Sequence, residues 1–345
     1  MSDKINTGDV LLDVKNLNVR FYSNGREMKA VNGVSFNIKK GETFGFVGES
    51  GCGKSTTSRA IIRLLAENAK IPSGEIIYKG QDILKLSNDK LRKIRGKEIG
   101  MIFQEPMTAL NPVLTIKQQM YEQFIGTNMT KAQKEEKAVE MLRLVGIPSP
   151  EKRLKDYIHQ FSGGMRQRAM IAITLAANPN LLIADEPTTA LDVTIQDQII
   201  KLINKIKDQL GMSVLLITHD LGVISQMCDR VAVMYAGYFV ETADTLTLFS
   251  VPRHPYTKGL IDALPSTDKK DLSLKPIKGT APSLADLPSG CPFAPRCPYK
   301  EDKCDAELPE MKEISPGHMV RCHFHEKLKG AQGLISIDEE GDNNV

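Results

Sequence analysis

The chain opens on alternation of period two. Leu11 to Tyr22 and Met28 to Ile38 each alternate apolar and polar positions, with Ser23-Asn24-Gly25 between them, which predicts a β-hairpin. A short apolar run, Thr43 to Val47, comes next, followed by a helical pattern from Ser58 to Leu65. Ile76 to Tyr78 and Ile99 to Phe103 are further strand candidates, the second ending in Gln104. Beyond Gln104 the period changes. Glu105 to Pro112 is a loop held by two prolines, and helical periodicity then runs through Gln118 to Ile125, Ala132 to Val145 and Gly164 to Ala177. Sheet patterns resume at Leu181 to Glu186 and Val214 to Thr218, with Ile195 to Leu210 as the crossover helix between them. Alternating strands and helices imply an α/β fold with a mainly parallel sheet, an antiparallel hairpin region and a helical subdomain spanning about 105–178.

Bulk properties narrow the class. A length of 345 residues suggests about two domains, and a hydrophobic content of 41% is enough for a full globular core. The longest apolar stretch, Ala169 to Ala177, falls well short of the ~20 residues of a membrane span. Met1 to Asp9 is polar and has no apolar signal core, so the chain is expected to stay on the cytosolic side, with any membrane role peripheral. Net charge is +3, from 45 basic and 42 acidic residues, too balanced to suggest a nucleic-acid footprint.

The densest chemistry lies between the Thr43–Val47 strand and the helix after it: Gly48-Glu49-Ser50-Gly51-Cys52-Gly53-Lys54-Ser55-Thr56. Glycines at this spacing let bare backbone N–H groups crowd around phosphate oxygens. Lys54 is placed to reach the β- and γ-phosphates and Ser55 to offer its hydroxyl to Mg²⁺, with the helix N-terminus adding partial positive charge. The apolar strand ending in Asp185-Glu186 supplies two carboxylates with different tasks. Asp185 is expected to orient Mg²⁺, and Glu186 to polarise the attacking water as a general base. His219 follows the next apolar strand and is expected on the same sheet edge, near the γ-phosphate. Gln104 ends its own strand there, placed to sense Mg²⁺ or the water. Phe21 or Tyr22, at the end of the first strand, offers a ring on which a purine could stack; ordinary hairpin packing is the competing reading. Ser162-Gly163-Gly164 opens a long helix and forms a second anion receptor that a single-chain nucleotide site does not need.

From Pro265 onward prolines recur and helical periodicity fades, so this segment needs a staple to fold. Cys291, Cys297, Cys304 and Cys322 are separated by five, six and seventeen intervening residues. In a cytosolic setting a metal centre is a better staple than disulfides, and four thiolates suit either zinc or an iron–sulfur cluster. Close C-x₂₋₄-C pairs are absent, which favours the bulkier cluster. His318, His323 and His325, near Cys322, keep a mixed Cys/His zinc site open, with surface histidines as the favoured reading. Ile337 to Val345 reads as the end of a solvated acidic tail.

The order of phosphate loop, Gln104, Ser162-Gly163-Gly164-Met165-Arg166-Gln167, Asp185-Glu186, Ala190-Leu191-Asp192 and His219 resembles an ATP-binding-cassette (ABC) ATPase over about residues 10–265. That resemblance implies a head-to-tail ATPase dimer in which Ser162, Gly163 and Gly164 serve the partner's ATP. It also implies an adenine platform at Phe21 or Tyr22 and a dimer-contact loop at Ala190, Leu191 and Asp192. Phe103 to Pro112, Thr188 to Gln196 and His254 to Leu260 are similar to the oligopeptide and dipeptide permease ATPase of the first type. The resemblance therefore implies uptake of di- or oligopeptides on the cytoplasmic face of a membrane. Its implied partners are a second related ATPase, two transmembrane permease subunits and an extracytoplasmic peptide-binding protein. It further implies a four-iron, four-sulfur (4Fe–4S) cluster on the four cysteines. The expected organisation is an ATPase domain over 1–265, a Cys-rich metal-stapled domain over 266–330 and an acidic tail over 331–345. The competing functions are an ATPase for nickel or another small solute, a soluble non-transport ABC ATPase, and a redox sensor.

Overall fold

A computed structural model describes residues 10–189, 191–264 and 276–328. Strand β1 (Val10–Ser23) turns into β2 (Arg26–Lys39) through Asn24 and Gly25, both in the left-handed region. This is the two-residue turn whose twist matches paired antiparallel strands. Next come β3 (Thr43–Val47), α1 (Lys54–Ile61), β4 (Ala69–Tyr78), β5 (Gln81–Asp82), α2 (Asn88–Ile94) and β6 (Ile99–Ile102). A helical stretch follows: α3 (Pro106–Ala109), α4 (Ile116–Glu122), α5 (Lys131–Leu144), α6 (Pro150–Arg153) and α7 (Gly163–Leu175). The alternating part resumes with β7 (Leu181–Asp185), α8 (Val193–Leu210), β8 (Ser213–Thr218), α9 (Leu221–Met227), β9 (Arg230–Tyr235) and β10 (Tyr238–Asp244). Last are α10 (Thr245–Ser250), α11 (Pro255–Asp262), α12 (Asp302–Ala306), β11 (Lys312–Ser315) and β12 (His318–Val320).

Two sheets result. The antiparallel one has the order β2-β1-β4-β5, and the principal one the order β11-β12-β10-β9-β3-β8-β7-β6, in which the run from β9 to β6 is parallel. The parallel strands β3, β6, β7 and β8 are buried on both faces, as parallel strands are when each face is covered. Phe44, Phe46, Leu181, Ile183, Leu215 and Ile217 point into the core shared with the antiparallel sheet. Val47, Leu182, Ala184, Val214 and Leu216 point the other way, into the helical core. Period-two alternation therefore operates inside runs that read as uniformly apolar.

Two departures from the expected elements, at α1 and β4, have local causes. Helix α1 starts at Lys54 rather than Ser58, because Gly53 serves as its N-cap at φ 110° and lets the helix leave the loop at once. It stops by Ile61, short of Leu65, and Arg63 just beyond adopts φ 52°. Strand β4 begins at Ala69 rather than Ile76, since only its last turn is buried and its exposed half has no apolar signature. Strands β9 to β12 were not anticipated by the alternation pattern. The Cys-rich segment is continuous with the principal sheet, because β12 pairs with β10 through Glu241↔Val320 and Thr242↔Met319.

That junction is sealed by a buried pair. His318 Nε2 lies 2.7 Å from Glu241 Oε1, and both side chains are essentially out of solvent. Glu241 also accepts the backbone N–H groups of Arg253 at 2.7 Å and His254 at 2.9 Å. Glu241→Ala leaves two buried donors and one half-buried donor without their acceptor and is expected to cost roughly 3 kcal/mol. Urea unfolding followed by circular dichroism measures this; Glu241→Gln, which keeps an acceptor, should lose less.

Candidate functional site

The phosphate loop closes against the sheet where no side chain would fit. A Cβ on Gly48 would come within 2.1 Å of the Met234 carbonyl, and one on Gly53 within 2.5 Å of the Ala30 carbonyl, and both residues have positive φ. Lys54 is buried and folds back so that its Nζ donates to the carbonyls of Gly48 at 2.7 Å and Glu49 at 3.0 Å. Cys52 is buried within the loop, and burial pushes its thiol pKa up. Gly51 carries open space around its Cα, and Ser50 and Thr56 complete the rim.

Strand β7 delivers Asp185 to this loop. Ser55 Oγ donates to Asp185 Oδ1 at 2.6 Å, while Oδ2 is buried without a hydrogen-bond partner, the Arg59 guanidinium standing 3.8 Å away. Burial raises the Asp185 pKa, against the lowering influence of Ser55 and Arg59. Glu186 follows in the left-handed region at φ 49°, a conformation that costs a residue with a Cβ about 1–2 kcal/mol. Its backbone N–H donates to the Ile217 carbonyl, which ties the strained turn to β8. Its carboxylate accepts Gln104 Nε2 at 3.1 Å and Thr189 Oγ1 at 2.8 Å, with His219 Nδ1 at 3.6 Å. Gln104, Asp185, Glu186 and His219 thus arrive from three adjacent parallel strands at one edge, beside the loop after β3.

The other expected site residues lie around this centre. Phe21 packs half-buried against the inter-sheet core, whereas Tyr22 is 44% exposed and has Lys70 Nζ 5.5 Å from its ring centroid. Ser162 caps α7 by accepting the Met165 N–H, and a Cβ on Gly163 would meet nothing within 4 Å, so the helix start is open. Gly164 instead faces Ile195 of α8. Gly163 lines a cavity of about 730 Å³ together with Arg59, Gln104, Thr189 and Leu191. Asp192 caps α8 by accepting the Ile195 N–H at 2.9 Å. Ala190 and the acidic tail lie outside the described residues.

Cys291, Cys297, Cys304 and Cys322 are all free thiols and line one pocket with His254, Phe293 and Phe324. Burial pushes the thiol pKa of Cys291 up to about 11 and that of Cys322 up to about 12. Among the described residues, no group of three or more His, Cys, Asp or Glu side chains is arranged to hold a metal ion. The histidines divide: His318 is taken by Glu241, His323 Nε2 lies 2.9 Å from the Glu307 carbonyl, and His325 begins a short 3₁₀ turn.

Two residues that touch the loop were not assigned a site role from sequence. Tyr256 is fully buried in α11 and accepts the Glu49 N–H at 2.9 Å. Arg296, beside Cys297, pairs with the Glu49 carboxylate at 2.8 and 2.9 Å. The run His254-Pro255-Tyr256 was a usable signal for Tyr256. His254, its pKa pushed down to about 3 by burial, caps α11 and so aims the tyrosine. Arg296 gave no local signal.

Residues 31–189 match the ABC transporter family, and residues 240–304 match the oligopeptide/dipeptide transporter C-terminal region. The dipeptide transport ATP-binding protein DppD of Bacillus subtilis (strain 168) is 51% identical over 330 residues, covering 95% of this chain and 98% of that protein. The chain belongs to the ATP-binding subunits of oligopeptide/dipeptide ABC transporters. Another member, the oligopeptide transport ATP-binding protein OppD of Escherichia coli (strain K12), is 46% identical over 91% of this chain and 93% of its own length. The ABC fold is seen in the cassette MJ0796, solved dimeric in a post-hydrolysis state bound to ADP and Pi. It aligns at TM-score 0.61 and 29% identity over 68% of this chain and 98% of that one. ABC ATPases of this family hydrolyse ATP, and no helix among the described residues is long and apolar enough to cross a membrane.

Because the fold raises the Asp185 pKa, ionised Asp185 destabilises the nucleotide-free protein at neutral pH; that penalty is absent below the carboxylate's unfolded pKa, appears as pH rises above it, and is complete above the raised folded value. Asp185→Asn keeps an oxygen for Ser55 while removing the buried charge. It should raise the apo thermal midpoint at pH 7, read by circular dichroism, and suppress Mg²⁺-dependent ATP turnover.

Proposed function

We propose that this chain is the ATP-hydrolysing subunit of a membrane importer, coupling ATP binding and hydrolysis in a head-to-tail ATPase dimer to uptake of di- or oligopeptides. The carrying observation is the convergence of the phosphate loop, Asp185, Glu186, Gln104 and His219 at one sheet edge. Relatives named for peptide transport, matching more than nine-tenths of the chain, favour peptides over nickel or other solutes. The subunit works peripherally at the cytoplasmic face, with a second ATPase, two permease subunits and, through them, an extracytoplasmic peptide-binding protein.

The residues suit ATP and Mg²⁺. Ser55 and the orphaned Asp185 Oδ2 supply hard oxygens at the helix start, with Gln104 nearby. Bound there, Mg²⁺ would neutralise charge developing on the phosphate oxygens. Lys54 leaves the Gly48 and Glu49 carbonyls for the β- and γ-phosphates. Glu186, oriented by Gln104 and Thr189, accepts the proton of the attacking water, and His219 stands on its open side toward the γ-phosphate. Phe21 or Tyr22 supports the adenine, and Ser162, Gly163 and Gly164, with the Asp192 loop beside them, meet the ATP of the partner subunit.

The four cysteines are the ligands of a 4Fe–4S cluster. Burial, reinforced by neighbouring thiols, raises the pKa values of Cys291, Cys297 and Cys322, so they ionise together only around a compensating positive centre. Cys291, Cys297, Cys304 and Cys322, which line one pocket, would supply the four thiolates that such a cluster requires. The cluster staples the proline-rich segment.

Glu186→Gln should lower ATP turnover by about 10³-fold while ATP binding persists; unchanged turnover would remove Glu186 from the base role. Anaerobically purified protein should contain iron and acid-labile sulfide in equal amounts, lost in Cys291→Ser. Stoichiometric zinc without sulfide would replace the cluster. Tagged protein solubilised from its native membranes should bring down two polytopic subunits and a second ATPase; recovery of soluble partners alone would sink the importer reading.

A further inference from the structure

The phosphate loop is gripped at Glu49 from outside the nucleotide-binding strands. All three polar groups of Glu49 are engaged: its N–H donates to Tyr256 Oη at 2.9 Å, its carbonyl accepts Lys54 Nζ at 3.0 Å, and its carboxylate takes both arms of Arg296. The Arg296 side chain is only 5% exposed. Its Nε donates to the Lys278 carbonyl at 3.0 Å, Nη1 lies 3.3 Å from Tyr235 Oη and Nη2 3.4 Å from the Ile277 carbonyl, while the guanidinium sits over the Tyr235 and Phe293 rings. A charge this enclosed and this fully bonded is held in one place.

Its backbone is equally constrained. Arg296 ends a 3₁₀ turn, Ala294–Arg296, in which Ala294 N–H donates to the Cys291 carbonyl and Cys297 N–H to the Ala294 carbonyl. Two of the four clustered cysteines therefore bound the turn that presents this arginine to the nucleotide site. The arrangement answers an electrostatic problem at Glu49, since a carboxylate in a loop that must receive a triphosphate repels it unless a cation accompanies it.

We propose that Arg296 is a positioning residue for the phosphate loop: it neutralises Glu49 and fixes the loop's first turn, so that ATP affinity depends on the Cys-rich segment that carries it. This rests on the ATP-site reading above but not on which metal the cysteines hold. Loosening the Cys291–Cys297 turn would release the loop from a distance, giving the C-terminal segment influence over nucleotide binding without contact between cluster and ATP.

The test is ATP affinity of the full-length chain by calorimetry in Mg²⁺ for wild type, Arg296→Ala, Glu49→Gln, the double variant and Lys54→Ala. Arg296→Ala should weaken ATP roughly tenfold by exposing the triphosphate to an uncompensated carboxylate. Adding Glu49→Gln should restore most of that loss, a rescue that a purely structural arginine would not give. If Arg296→Ala fails to fold, Arg296→Gln, which keeps two amide N–H donors in the pocket while removing the charge, replaces it. Wild-type affinity in the arginine variant, or a double variant as weak as the single one, overturns the proposal. Wild type that binds ATP no better than Lys54→Ala would overturn the ATP-site reading instead.

Discussion

The parallel register of β3, β8, β7 and β6 is the constraint on which the site depends. Val47 is level with Thr218, Asp185 with Ile217 and Ile102 with Ala184, so four strands end together. In a parallel sheet all strands point one way, and whatever follows each of them shares one edge. The phosphate loop, His219, Glu186 and Gln104 are neighbours for that reason, although Ser55 and Asp185 are 130 residues apart in the chain. A slip of one residue would exchange the inter-sheet core for the helical core along a whole strand, and with both faces fully buried neither side tolerates the exchange.

Crowding polar groups at that edge stores energy in the nucleotide-free state. Asp185 is a buried carboxylate with one oxygen unmatched, Glu186 sits in a left-handed turn, and Lys54 spends its donors on the carbonyls of its own loop. Each of these is unfavourable or provisional alone, and under the proposed function the Asp185 oxygen and the Lys54 donors would gain partners when a triphosphate arrives with its cation. The helical stretch joins in through Gln104, which contacts Glu186 at one end and leads into the loop before α3 at the other. Closure around nucleotide can thereby pull on whatever that loop touches.

How much could be read in advance follows from the range over which each feature is encoded. The phosphate loop, the hairpin with its Asn24-Gly25 turn and the Ser162 and Asp192 caps are local patterns, and they occur where their residues predict. The meeting of Asp185, Glu186, Gln104 and His219 at one edge was legible because strand ends can be located locally and a parallel sheet then assembles them. Strands β9 and β10 escaped attention although their runs are apolar, since Ala236-Gly237 makes an unmarked turn between them. Strand β12 carries only three residues and owes its place to the Glu241–His318 pair, which no periodicity announces.

The Glu49–Arg296 contact marks the limit of such reading. Its partners are 247 residues apart, both are common charged types, and each would pass for a solvated side chain in its own segment. What makes the arginine special is the box of Tyr235, Phe293, Ile277 and Lys278 around it, drawn from three separate stretches of chain. Such a box exists only after the C-terminal segment has docked on β10. Burying a guanidinium there is unfavourable unless its partner carboxylate is already in place, because an unpaired buried charge costs far more than an apolar residue of similar size. The docked segment and the ordered phosphate loop therefore stabilise one another, and the two stretches fold as parts of one site.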